Sequence, residues 1–152
     1  MKFLLLTAWL FCSWWGMRAQ NNIIMQAQQQ DSLAISQVLE KTYFPGIYVG
    51  DVKLLQTIYH PGTLLFGDVK GQPYAKNLEQ YLDGVGHRQS PKDSGKPFKG
   101  EVLDIRVVNS IAVAEVKVKM YDFNYHEFLS FHKIDGKWLI VNKMISDAAA
   151  QI

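Results

Sequence analysis

The chain has 152 residues, of which 48% are hydrophobic and 20% charged, and its formal net charge is +2. This length suits one domain. The 16 basic residues, less Lys2 and Arg18 near the N-terminus, leave 14 to balance 14 acidic residues. A neutral remainder excludes a nucleic-acid binder that relies on bulk positive charge.

The first nineteen residues have the pattern of an export signal. Lys2 precedes an apolar run over residues 3–15, and Ala19 is followed by a polar, Gln-rich stretch. The run spans roughly 20 Å as a helix at ~1.5 Å per residue, which is short of the about 30 Å hydrocarbon core. We therefore predict a signal peptide over residues 1–19, cleaved after Ala19, rather than a membrane anchor. The mature protein would be periplasmic or secreted, with no membrane attachment.

Residues for metal or covalent chemistry are sparse. The single cysteine, Cys12, lies in the predicted signal, so neither a disulfide nor a cysteine nucleophile remains after cleavage. The four histidines, His60, His87, His126 and His132, do not have the spacing of a metal motif. We predict no metal and no cofactor.

Three helices are predicted after a polar leader over residues 20–30, and the domain itself is expected over residues 31–152. Asp31 is a candidate cap for the first helix, which should end near Phe44 because Pro45 disfavours helical geometry in the residue before it. Asp51 should cap a second helix that ends at residues 60–62. Asn77 should cap a third, in which apolar residues recur at helical spacing.

Strands dominate the rest of the chain. A short strand is predicted over residues 63–66, with residues 72–74 pairing back and a loop over residues 86–98. From Lys99 onward the hydrophobic period becomes two, and Asp135-Gly136 is a strong hairpin turn. This order predicts an α+β fold. The last two strands are apolar on both faces, which favours a homodimer formed through the sheet.

The sequence resembles the nuclear transport factor 2-like superfamily, and within it the lumazine-binding branch, with looser likeness to SnoaL-like proteins and ketosteroid isomerases. The resemblance rests on element order, on Tyr43 followed by Gly50-Asp51, on His60-Pro61, and on residues 125–143 with their Asp135-Gly136 turn. It implies a cone-shaped curved antiparallel sheet wrapped around three N-terminal helices. Because this fold hosts enzymes, binders and scaffolds alike, it does not define a function.

Strict alternation about the last turn puts one set of side chains on the same sheet face, which in the resembled fold lines the pocket. The set comprises Glu127, Leu129, Phe131, Trp138, Ile140 and Asn142. A lone carboxylate among apolar groups marks Glu127 as a functional candidate; the alternative is an edge carboxylate that is solvated or paired with Lys133.

The leading hypothesis is a small-molecule binder with an apolar pocket, whose ligand is unknown, with an aromatic heterocycle as one candidate. Its expected lining residues are Tyr43, Phe66, Tyr81, Glu127, Trp138 and Asn142.

Two alternatives stay open. One is a cofactor-independent isomerase, dehydratase or cyclase. The resemblance to ketosteroid isomerases implies that Tyr43 and Glu127 would hold an oxyanion, with Asp68 or His60 as the base. Gly67 stands where those enzymes carry the base, which counts against this alternative. The other alternative is a non-catalytic dimeric interaction domain.

Overall fold

The structure is a computed structural model that describes the backbone of residues 8–147 and the side chains of residues 22–147. Helices come first and a six-stranded sheet follows, which confirms the predicted α+β class. The helical elements are α1 (Ala8–Val38), a π-helical segment (Leu39–Tyr43), α2 (Phe44–Val49), α3 (Val52–Gln56), α4 (Leu78–His87) and α5 (Pro91–Ser94). The strands are β1 (Tyr59–Val69), β2 (Gln72–Asn77), β3 (Phe98–Val108), β4 (Ile111–Met120), β5 (Phe123–Ile134) and β6 (Lys137–Asp147).

The predicted signal peptide falls partly outside the described residues, since residues 1–7 are not among them. Within residues 8–147, no helix combines the length and the hydropathy needed to cross a membrane.

Helix α1 runs unbroken through residues 20–30, the segment that we predicted to be a polar leader ahead of the first helix. No Gly or Pro interrupts residues 17–44, and the leader is rich in the helix formers Ala, Gln and Met. Asp31 is therefore inside the helix, and its predicted capping role is wrong. Its carboxylate accepts hydrogen bonds from Lys133 Nζ at 2.6 Å and Trp138 Nε1 at 3.1 Å, which join α1 to β5 and β6.

The helical path also continues through Pro45, where the sequence predicted an end. The Phe44 N–H donates to the Leu39 carbonyl five residues earlier, so the helix widens into a π turn. Pro45 then occupies the first turn of α2, where the N–H that it lacks needs no partner in the helix. The last residue of the π segment is the fully buried Tyr43, which belongs to the candidate functional site.

Two predicted helix caps are confirmed. The Asp51 carboxylate accepts the Leu54 N–H at 2.9 Å, and Asn77 forms a reciprocal capping box with Gln80. Helix α4 buries the four residues whose spacing predicted it, namely Leu78, Tyr81, Leu82 and Val85. Helix α3 ends at Gln56, earlier than predicted, because residues 60–62 belong to β1.

The sheet has the order β2-β1-β6-β5-β4-β3 and is curved but not closed. Four of its five pairings are antiparallel as expected, and β1 with β6 is parallel. Strand β4 alternates as predicted and buries Ala112, Ala114, Val116, Val118 and Met120. These residues and the inner face of β5 form one core with the helices.

A bulge in β6 interrupts the predicted alternation. Phe131 pairs with Ile140 as expected from the hairpin, but Ser130 pairs with Asn142, so Val141 is an extra residue on β6. One inserted residue exchanges the two faces of the strand beyond it. The predicted face is therefore correct as far as Ile140 and reversed after it.

Candidate functional site

A buried hydrogen-bonded group of three side chains lies between the helices and the sheet. The Tyr43 hydroxyl donates to Glu127 Oε2 at 2.5 Å. Lys143 Nζ donates to the Tyr43 oxygen at 2.7 Å and to Glu127 Oε1 at 2.7 Å. The three residues are 0%, 1% and 3% exposed, in the order Tyr43, Glu127, Lys143. We call them the Tyr-Glu-Lys triad.

The charges of the triad are mutually stabilised. Burial raises the pKa of Tyr43 well above its ordinary value, and the negative charge of Glu127 adds to that effect, so the phenol stays protonated as a donor. Burial alone would lower the pKa of Lys143, but the negative charge of Glu127, together with Tyr81 and the hydrogen bond to Glu127, raises it. Lys143 is therefore held as an ammonium ion, and a buried cation of this kind is tolerated only with such a partner.

The triad adjoins a cavity of about 260 Å³, which Glu127 and Lys143 line directly. Its aromatic wall comes from Tyr74, Tyr81 and Tyr125. Its other apolar lining residues are Ile47, Val69, Val118, Met120 and Ile145. Apolar walls with a few convergent polar groups are the usual composition of a small-molecule site.

The charged lining of the cavity is predominantly basic. The described lining residues include three basic side chains and one carboxylate, Glu127. The basic residues are Lys76, Arg88 and Lys143. The Arg88 Nε and Nη2 atoms are buried and have no hydrogen-bond partner among residues 22–147. A buried donor without a partner is costly, so this guanidinium edge is available to a ligand or water.

The structure brings three of the predicted site residues to this region. Tyr81 and Glu127 line the cavity, and Tyr43 is hydrogen-bonded to both charged members of the triad without lining the cavity itself. The Tyr43 hydroxyl donates to the Glu127 carboxylate itself. In the isomerase hypothesis both groups would instead point at a substrate oxyanion.

Three other predicted lining residues lie outside this cavity. Phe66 is 47% exposed because β1 turns Leu65 inward. Trp138 is buried near the opposite end of the hairpin, where it donates to Asp31. Asn142 follows the β6 bulge and donates to the Leu64 carbonyl at 3.0 Å.

Neither candidate base lines the cavity. Asp68 accepts a hydrogen bond from Ser146 Oγ at 3.3 Å, and His60 Nδ1 accepts the Gly62 N–H at 3.1 Å. Gly67 has φ +149°, and a Cβ at that position would come within 1.7 Å of the Ile145 carbonyl oxygen. The close approach of β6 therefore excludes any side chain at position 67.

Sequence reasoning did not identify Lys143 and Arg88. Strict alternation placed Lys143 on the outer face, and only the bulge at Val141 turns it inward. Arg88 lies just after α4, at the start of the segment expected to be a polar loop. No residue pattern in the sequence marks either position.

The chain belongs to the family described as "Putative lumazine-binding", whose model matches residues 30–146. Among characterised proteins, it is similar to the aldolase FrzH of Cladobotryum sp.. The two are 30% identical over 102 residues, which cover 67% of this chain and 80% of that protein.

Solved structures share the nuclear transport factor 2-like fold. A protein of this type from Silicibacter pomeroyi has a TM-score of 0.70 at 18% identity, covering 78% of this chain and 97% of its own. Another, from Shewanella baltica, has a TM-score of 0.68 at 23% identity, covering 77% and 93%. At these identities the likeness establishes the fold.

Proposed function

We propose that this protein binds a small molecule in the cavity beside the Tyr-Glu-Lys triad. The observation that carries the proposal is the placement of a buried ion pair, Glu127 with Lys143, on the wall of a cavity lined mainly by apolar and aromatic side chains. Burying charge is expensive and does not by itself favour folding over an apolar core. Two charges that face an open space suit ligand recognition better than they suit packing.

The size of the cavity suggests a compact ligand. Drug-sized ligands occupy pockets of about 300–1,000 Å³, and this cavity measures about 260 Å³. The description of the family points to lumazine as the first probe. We expect lumazine to raise the melting temperature more than the larger riboflavin or progesterone do.

A blocking variant makes this test specific. Gly84 lines the cavity, and a Cβ added there would meet only Lys76 Nζ, at an ordinary 3.6 Å. Gly84→Phe should fill the cavity and abolish the thermal shift, whereas Gly84→Ala, the matched control, should preserve it. Equal shifts in both variants would place binding elsewhere, and no shift with these probes or with any compact carboxylic acid would contradict the proposal.

A second candidate function is proton transfer next to a ligand carbonyl. It is favoured by the similarity to an aldolase and by a carboxylate and an ammonium group on one cavity wall, with a phenol hydrogen-bonded to both. The Glu127 carboxylate would take a proton from the carbon beside the carbonyl. The electron pair of that C–H bond would form an enolate whose oxygen faces the Lys143 ammonium. Tyr43 would act as a positioning residue that orients both groups.

Deuterium exchange tests this chemistry without knowledge of the substrate. The α-protons of 2-indanone in D₂O should exchange faster with the protein than in buffer, and Lys143→Met should remove at least about tenfold of that acceleration. Tyr43→Phe should cause a smaller loss. Exchange no faster than in buffer would contradict an enzymatic role and leave the binding proposal in place.

We also propose that the outer face of the sheet pairs with a second copy of the chain. A groove of about 700 Å³ crosses this face, lined by Val108, Ile111, Val113 and Phe128. Asp104, Arg106 and Glu115 line it as well. In a two-fold dimer each patch contacts its own copy, so Arg106 of one subunit could meet a carboxylate of the other across an apolar centre.

Export is the remaining part of the proposal. It is supported by the basic start, the short apolar run and Ala19. The intact mass of the protein purified from its native host should correspond to a chain that begins at Gln20. A mass that retains residues 1–19 in a membrane fraction would indicate an anchor.

A further inference from the structure

We infer that the ligand is a carboxylate, and that Arg88 binds its carboxylate group inside the cavity. This inference rests on the proposed binding function and specifies the chemical class of the ligand. It is based on the guanidinium group of Arg88, which is not part of the Tyr-Glu-Lys triad.

The buried atoms of Arg88 have the geometry of a carboxylate receptor. Nε and Nη2 form one edge of the planar guanidinium, and their N–H bonds run parallel, matching the two oxygens of a carboxylate. Both atoms are buried without a hydrogen-bond partner among the described side chains and backbone groups. A donor pair of this kind has no structural role in the free protein that the contacts reveal.

The surroundings favour an anion over a neutral ligand. Lys76 and Lys143 line the same cavity, and Glu127, the one carboxylate among the described lining residues, is already bonded to Tyr43 and Lys143. Asp147, at the end of β6, does not line the cavity, and its carboxylate accepts the Asn124 N–H at 3.2 Å. The cavity thus holds three cations against one carboxylate.

The other residues that line the cavity indicate the chemistry of the rest of the ligand. Tyr74, Tyr81 and Tyr125 face the cavity together with aliphatic side chains from the sheet. This lining suits an apolar or aromatic body attached to the carboxylate. Because the cavity is small, we expect one acidic group and a compact ring system.

Matched acids and amides test the inference. The pairs are benzoate with benzamide, 2-naphthoate with 2-naphthamide, and indole-3-acetate with indole-3-acetamide, each compared by calorimetry at neutral pH. At least one acid should bind about tenfold or more tightly than its amide. Arg88→Met should remove this preference, and Arg88→Lys should restore only part of it because an ammonium group lacks the planar fork.

The free protein offers a second measurement. Since the Nε and Nη2 atoms of Arg88 are buried without a hydrogen-bond partner among the described residues, Arg88→Met should leave the melting temperature of the unliganded chain unchanged or raise it, whereas a structural role would lower it. If no acid binds better than its amide, the inference is overturned. In that case, amides that bind wild type but not Gly84→Phe would still support the proposed binding function. If neither the acids nor the amides bind wild type, both the carboxylate inference and the proposed binding function are contradicted.

Discussion

At the scale of single residues, the triad is a stabilising arrangement only when it is complete. Tyr43 donates to Glu127, and Lys143 bonds both, so each polar side-chain atom of these three buried residues has a partner. Removing one charged partner leaves the other buried and unpaired, which costs more than the pair contributes when intact.

Glu127→Gln should therefore lower the free energy of unfolding by about 3–5 kcal/mol, because Lys143 loses its counter-charge. The double variant Glu127→Leu/Lys143→Met should recover most of that loss, since it removes both charges together. Urea unfolding monitored by circular dichroism measures the free energy of unfolding of the single and the double variant. A single variant as stable as wild type would show that the ion pair is not buried as described.

A glycine next to the site is predicted to be irreplaceable. Gly67→Ala should destabilise the chain by about 3 kcal/mol or more, because its Cβ would overlap the Ile145 carbonyl. Gly71→Ala is the matched control, with φ also positive but with nothing within 4 Å of the added Cβ. Its cost should be about 1 kcal/mol, from backbone strain alone. Equal losses in thermal unfolding would contradict the close approach of β6 to β1.

At the scale of elements, the sequence predicts regular structure well and interruptions poorly. The Asp51 and Asn77 caps, the alternation of β4 and the Asp135-Gly136 turn all depend on local chemistry, and all are found. The π turn before Pro45 and the bulge at Val141 depend on packing between elements distant in sequence. The bulge turns Lys143 inward, so local rules missed this member of the triad. Tyr43 was a candidate from the sequence, but the π turn that ends at it was not predicted.

The contact of α1 with the last hairpin gives a pH-dependent prediction. The hydrogen bond from Lys133 lowers the pKa of Asp31, burial opposes this, and the hydrogen bond from Trp138 adds to the lowering. The carboxylate therefore stabilises the fold above the pKa of an unfolded aspartate, about 3.9. That contribution is lost as the pH falls through the lower folded-state pKa.

Asp31→Asn should thus be less stable than wild type at neutral pH, and the difference should shrink in acid below about pH 4. Denaturant midpoints measured from pH 2 to 7 give the comparison. In a Lys133→Met background, the same substitution should show a smaller pH-dependent difference. A difference that is constant across the whole range would mean that Asp31 is not paired in the folded state.

At the scale of the whole molecule, the two faces of the sheet have different surroundings. The inner face holds the core and the cavity, while the outer face exposes large apolar side chains, among them Phe66, Phe128 and Met144 on three neighbouring strands. A monomer seldom exposes an apolar patch that spans several strands.

A charge placed in the outer face should separate the proposed dimer. Val113→Lys changes a residue that is 44% exposed in the groove, and it should convert a dimer into a monomer in sedimentation velocity runs at micromolar concentration. Val49→Lys is the matched control, since Val49 is 43% exposed at the end of α2. A wild-type chain that sediments as a monomer at the same concentration would contradict the dimer.

The most direct test of the central claim, that the cavity beside the triad receives a ligand, is a methyl NMR titration. Val118 and Ile145 line the cavity, whereas Val113 lies on the outer face. With lumazine or the best binder among the matched acids, the methyl signals of Val118 and Ile145 should shift saturably while those of Val113 stay in place, and Gly84→Phe should abolish the shifts. Shifts at Val113 alone, or shifts that persist in Gly84→Phe, would contradict the account.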